Sequence, residues 1–243
     1  MALAHTLGFS RSGAADHLIA EAAQAFTQDQ RFQLSWTQLF HEVDEARAQG
    51  HSITPVITGP LTYLWQGDVQ ETGFDKLELL ERLLPVYGET FAMLAEKGVE
   101  WVQIDEPVLC HDLPQAWKNA FERAYHTLQY SPLKKLIATP SADLGGNLGL
   151  TATLPVQGLH VERVSSFEQL SAILDRLPIY KVLSLADVSG VAPVSCEAEH
   201  AQNLLDEAQV RFGENLWVTA PGSQLQYSIK RSYEGHGVSP ITV

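Results

Sequence analysis

The apolar run Val99-Glu100-Trp101-Val102-Gln103-Ile104 ends on two adjacent carboxylates and a proline, Asp105-Glu106-Pro107. Val, Trp and Ile favour a strand, and Lys97-Gly98 just before them stops a helix. Pro107 has no backbone N–H to extend a central strand, so the strand closes there. Carboxylates at the end of a buried strand can act as general acids, general bases or substrate anchors. Successive strand residues point to opposite faces, so Asp105 and Glu106 form no acid–base pair unless the backbone turns between them. Spacing alone leaves a second reading open, in which Asp105 caps the following turn and Glu106 is solvated.

His160 and Glu162 stand near the end of another apolar run, Val156–Val161. They could be a metal pair, or a general base with its orienting carboxylate. A lone histidine on a strand is also a common structural residue. Cys110-His111, and Cys196 with His200 one helical turn later, add soft donors. Neither pair has a convincing third ligand, so no metal site is expected in this chain.

The surrounding pattern must position these groups. Strand-like runs are His5–Phe9, Ile53–Ile57, Val99–Ile104, Leu133–Ala138, Val156–Val161, Val182–Ala186 and Leu216–Val218. Helical patterns lie between them: Ala14–Phe26, the stretch from Ser35 to Gly50, Asp75–Gly98 with a Leu/Tyr/Phe stripe, and segments opening near Pro114, Ser166 and Ser195. Leu61–Trp65 reads as a short helix or a cover over a strand end, and Ala142–Thr153 shows only weak periodicity. Uninterrupted apolar strands alternating with helices predict a parallel α/β sheet covered on both faces. The expected fold is a TIM-type (βα)8 barrel, incomplete, with about seven strands. The C-terminal strand ends would then gather Arg11, Thr58, Asp105, Glu106, Ser141, His160, Glu162, Asp187 and Ser223 into a polar mouth. Residues 1–220 read as this barrel, and 221–243 as a divergent, loosely held tail.

Composition narrows the partners. The 243 residues carry 29 acids against 16 bases, a net charge of −13, which disfavours nucleic acid and anionic membranes. The two cysteines imply no disulfide framework. The N-terminal residues lack the pattern of a signal peptide and no apolar run is long enough to span a bilayer, so a cytoplasmic location is expected.

His5-Thr6-Leu7-Gly8-Phe9-Ser10-Arg11, Leu34-Ser35-Trp36-Thr37-Gln38-Leu39, Pro55–Trp65, Glu100–Pro107 and Leu154-Pro155-Val156-Gln157-Gly158-Leu159-His160-Val161 resemble stretches of cobalamin-independent methionine synthase. The likeness is nearly continuous from Phe32 to Val218. That family moves a methyl group from methyltetrahydrofolate polyglutamate to homocysteine, using two face-to-face βα barrels. The resemblance covers only the N-terminal barrel, internally shortened between the opening motif and Gln33. It implies that the catalytic zinc and its ligands belong to an absent C-terminal barrel. No cofactor is therefore expected on this chain, and no activity without a zinc-bearing partner barrel. Arg11, Asp105, Glu106 and His160 are the expected substrate-binding residues. The run Ala15-Asp16-His17-Leu18-Ile19 stands where the family has a basic stretch for the folate tail, and Asp16 would repel carboxylates there. A non-catalytic small-molecule or protein-binding barrel, or a degenerate fragment, is the alternative.

Overall fold

The computed structural model describes residues 25–34, 37–69, 73–164, 166–187 and 197–218. In chain order the first elements are β1 (Ala25–Phe26), α1 (Gln38–Ala48), β2 (Val56–Thr58), α2 (Pro60–Gln66) and β3 (Asp68–Val69). A 3-10 turn at Lys76–Leu79 leads into α3 (Leu80–Glu96), followed by β4 (Trp101–Asp105). Next come α4 (Gln115–Leu128), β5 (Lys134–Thr139), α5 (Leu148–Thr153) and β6 (Gly158–Arg163). The last are α6 (Phe167–Arg176), β7 (Val182–Asp187), α7 (Glu197–Phe212) and β8 (Leu216–Val218).

Six strands form one parallel sheet in the order β2-β4-β5-β6-β7-β8. They correspond to six of the runs expected from the sequence. The seventh, His5–Phe9, lies outside the described residues, as do Arg11, Ser223 and the tail. The sheet is an open arc, so the barrel is not closed among the described residues. The arc is strongly curved. β4 and β8 are four strand spacings apart, about 19 Å on a flat sheet. Yet the Trp101 and Trp217 rings meet edge-on with centroids 5.0 Å apart.

One assignment is corrected. Ala25-Phe26, expected to end a helix, forms β1 and pairs in parallel with β3. Phe26 is buried against Tyr63 and Phe32. A Cβ on Gly67 would come within 2.1 Å of its ring. This packing outweighs the local helix preference of an Ala-rich run.

The two faces of the main sheet differ in chemistry. Val102, Ile104, Ile137, Leu159, Val161, Leu183 and Leu185 are at most 2% exposed and join the helices in one core. α3 supplies Leu80, Leu83, Leu84, Tyr87, Phe91 and Leu94 to it. Each such side chain stabilises the fold by roughly 1.5–3 kcal/mol on burial. The helix ends follow the sequence signals. Asp75 accepts a hydrogen bond from the Leu77 N–H, Ser166 accepts one from Gln169, and Gly98 stops α3 at φ 74°. The opposite face carries Gln103, Asp105, His160 and Ser184.

Two buried lysines hold the loops that feed the strands. Lys181 Nζ donates to the Ala152 and Leu154 carbonyls at the end of α5, at 2.7 and 2.6 Å. Lys135 Nζ donates to the Leu133 and Ser131 carbonyls. Burial pushes both amines down to about 8 from the usual lysine value. A folded-state value below the unfolded one means that the unfolded chain binds more protons between pH 8 and 10, so stability rises with pH there. Lys181→Met should remove about 1–2 kcal/mol of the gain between pH 8 and 9.5, read by urea unfolding at the two pH values.

Candidate functional site

The two adjacent acids where β4 ends do different work. Glu106 is fully buried. Its Oε2 accepts the Thr62 N–H at 2.8 Å and the Thr62 hydroxyl at 2.6 Å. Its Oε1 accepts the Tyr125 hydroxyl at 2.9 Å and the Leu61 N–H at 3.3 Å. The carboxyl thus ties the end of β4 to the first turn of α2 and to α4. Gly59 leaves the room, since a Cβ there would come within 2.1 Å of the Glu106 carboxyl carbon. Tyr87 closes the same corner by donating to the Thr58 carbonyl at 2.7 Å. Burial pushes the Glu106 carboxyl up to about 7, against the pull of these donors. The reading of Glu106 as a solvated residue is therefore corrected: it points into the helix layer, and its four donors already occupy it.

Asp105 points the other way. It is 6% exposed, and Oδ1 accepts a single hydrogen bond, from Gln103 Nε2 at 2.9 Å. It does not cap the following turn, whose first position is Glu106. Burial raises its carboxyl to about 7, and the Gln103 bond offsets only part of the rise. Gln103 and Asp105 are two apart on one strand and share a face. A glutamine inside an apolar strand was the sequence signal for this pair.

Strand register assembles the rest. Asp105 pairs with Thr58 on β2 and with Ala138 on β5, Ala138 pairs with His160, and His160 with Ser184. The result is a cross-sheet row, Thr58–Asp105–Ala138–His160–Ser184, near the C-terminal strand ends. His160 is 1% exposed and shares a 2.8 Å hydrogen bond between Nδ1 and Ser184 Oγ. Its Nε2 is buried with no hydrogen-bond partner among the described residues. Burial lowers its pKa to about 4, so the ring is neutral at pH 7. Ala138, itself buried, stands between Asp105 and His160 in the row.

The other expected mouth residues are scattered. Ser141 accepts a hydrogen bond from the Asp143 N–H in the loop after β5. Glu162 is buried one step beyond His160. Asp187 closes β7. Cys110 donates to the Ser141 carbonyl at 3.6 Å, and burial pushes its thiol up to about 11. His111 packs its ring edge-on against Trp65. Cys196 lies outside the described residues. A zinc ion needs about four close donors including thiolates or imidazoles. Among the described residues no group of three His, Cys, Asp or Glu side chains could hold a metal, and Cys110 is held as a thiol. The residues described do not fit zinc. No helix among them is long and apolar enough to cross a membrane.

Comparison with known proteins agrees with this architecture. A Listeria monocytogenes protein assigned as a vitamin-B12-independent methionine synthase superposes with a TM-score of 0.58 at 13% identity, covering 86% of this chain and 72% of that one. A B12-independent methionine synthase from a Shewanella species, solved with selenomethionine, gives 0.55 at 15% identity, covering 84% of this chain and 66% of that one. At these identities the likeness establishes the fold alone. The sequence pattern described as the N-terminal domain of cobalamin-independent synthase matches residues 23–212. The chain belongs to that family.

Proposed function

We propose that this chain is the folate-side barrel of a cobalamin-independent homocysteine methyltransferase and works only with a second, zinc-bearing barrel. The reading is carried by Asp105, an under-bonded carboxyl on the polar face at the strand ends, in a chain of this family. In this reading, activation of the homocysteine thiol belongs to the partner barrel. The residues of this chain bind and orient. Asp105 holds substrate at the mouth, Gln103 fixes the carboxyl, and Glu106 keeps β4, α2 and α4 in place behind it.

The test is reconstitution. The full chain is mixed with a purified zinc-bearing barrel of the family, and methionine is measured from homocysteine and methyltetrahydrofolate triglutamate. Turnover should appear only in the mixture. Asp105→Ala should lower it about tenfold or more, the usual scale for a lost positioning contact. No turnover from two folded components would overturn the proposal. Turnover by the single chain would overturn the requirement for a partner.

A further inference from the structure

The last strand of the main sheet is weakly held by its neighbours. β8 has three residues, pairs with β7 on one side and has no strand on the other among the described residues. Leu216 packs against the core, and Asn215 Nδ2 donates to the Ile179 carbonyl at 3.0 Å. These contacts hold the start of the strand. Its end is open: Trp217 is 39% exposed and Val218 52%. A short edge strand with little buried surface belongs to the least stable part of a sheet.

One contact ties β8 to a strand that it does not pair with. The Trp217 ring meets the Trp101 ring of β4 edge-on, with centroids 5.0 Å apart and planes at 68°. Strand register places Trp217 level with Ser184 and, through the row, with Asp105, four residues beyond Trp101. The contact therefore crosses β5, β6 and β7 and a stagger of about 13 Å along β4, which only a curled and tilted sheet allows. The β4 side of the contact is firmly seated. β4 is paired on both sides, by β2 and β5. Lys134 Nζ stands over the Trp101 ring, 5.4 Å from its centroid, and is paired with Glu100 at 2.5 Å.

We propose that Trp101 and Trp217 form a clasp across the inner face: β8 opens locally from β7 while the rest of the sheet stays folded, and the ring contact with β4 sets how seldom it does so. Opening leaves β7 as the edge strand, with Ser184, the register partner of Trp217, at that edge. The inference uses neither folate nor a second barrel, so it stands or falls apart from the methyltransferase reading.

Hydrogen exchange of the full chain, followed by mass spectrometry under native conditions, reads the opening. Peptides covering β8 should exchange faster than those covering β6. Trp217→Ala should speed exchange in β8 about tenfold, the scale of a lost aromatic pair with its buried area. Trp101→Ala should do the same from four strands away, and the double variant should be no faster than the faster single one. Exchange in β6 should stay within about twofold of the natural chain in all three. Where an alanine variant does not fold, Trp217→Phe and Trp217→Leu decide the same point. Phenylalanine keeps a ring against Trp101, and leucine fills space without one, so β8 should exchange at least about threefold faster in the leucine variant. Unchanged β8 exchange in Trp101→Ala, effects that multiply in the double variant, a rise of the same size in β6, or equal exchange in the phenylalanine and leucine variants would each overturn the proposal.

Discussion

Glu106→Ala should destabilise the chain by about 4 kcal/mol, enough to unfold much of it at 37 °C. Four donors converge on this carboxyl: the N–H groups of Leu61 and Thr62 and the hydroxyls of Thr62 and Tyr125. Removing the acceptor strands all four in a buried corner, where each unsatisfied group costs roughly 1–3 kcal/mol before relaxation. The hydroxyls can turn toward other acceptors, but the backbone N–H groups cannot. Glu106→Gln should cost less, about 2 kcal/mol, because one oxygen still accepts and only one side meets donors with an NH2. Urea unfolding followed by circular dichroism checks both variants. A loss below about 1 kcal/mol for the alanine variant would mean that the corner is held by something other than Glu106.

Asp105→Asn should do the opposite. The carboxyl is buried with one hydrogen bond, and its folded-state pKa is raised from 3.8 to about 7. A carboxyl raised in this way contributes stability that is fully present below its unfolded value and is lost as pH rises through the folded value. At pH 8 the ionised group therefore weighs against folding. Asparagine has nearly the same shape, can still accept from Gln103 and carries no charge. The variant should be more stable than the natural chain by roughly 2–4 kcal/mol at pH 8, and the difference should shrink to about 1 kcal/mol at pH 5. Glu106 and His160 also titrate across this range, with opposite signs, but both are present in the two chains and cancel in the comparison. Glu106 carries a rise of the same size but is committed to four protein donors, whereas Asp105 has one, which is why Asp105 rather than Glu106 is assigned to the site.

Much of this was legible in the sequence, for physical reasons. Buried parallel strands must be apolar throughout, and that pattern marked all six strands of the main sheet. Alternation along a strand separated Asp105 from Glu106. What each acid touches was not legible. The partners of Glu106 come from Leu61, Thr62 and Tyr125, between 19 and 45 positions away, and no local periodicity encodes their meeting. The pairing of His160 with Ser184 exists only once β6 and β7 are in register. Ser184 carried a weak signal, as the hydroxyl inside the apolar run Val182–Ala186. Lys135 and Lys181 look like surface lysines in the sequence. Their burial depends on carbonyls of the Ser131–Leu133 loop and of the end of α5, which the two amines meet only once the chain is folded. The β1–β3 pair was missed because two-residue strands are too short to show a period.

The most direct test of the division between the two acids is to unfold the natural chain, Asp105→Asn and Glu106→Gln side by side in urea at pH 8. Shifts of opposite sign, a gain for Asp105→Asn and a loss for Glu106→Gln, are the predicted result. A loss in both would make Asp105 a second structural carboxyl and remove the basis for placing the site on the inner face.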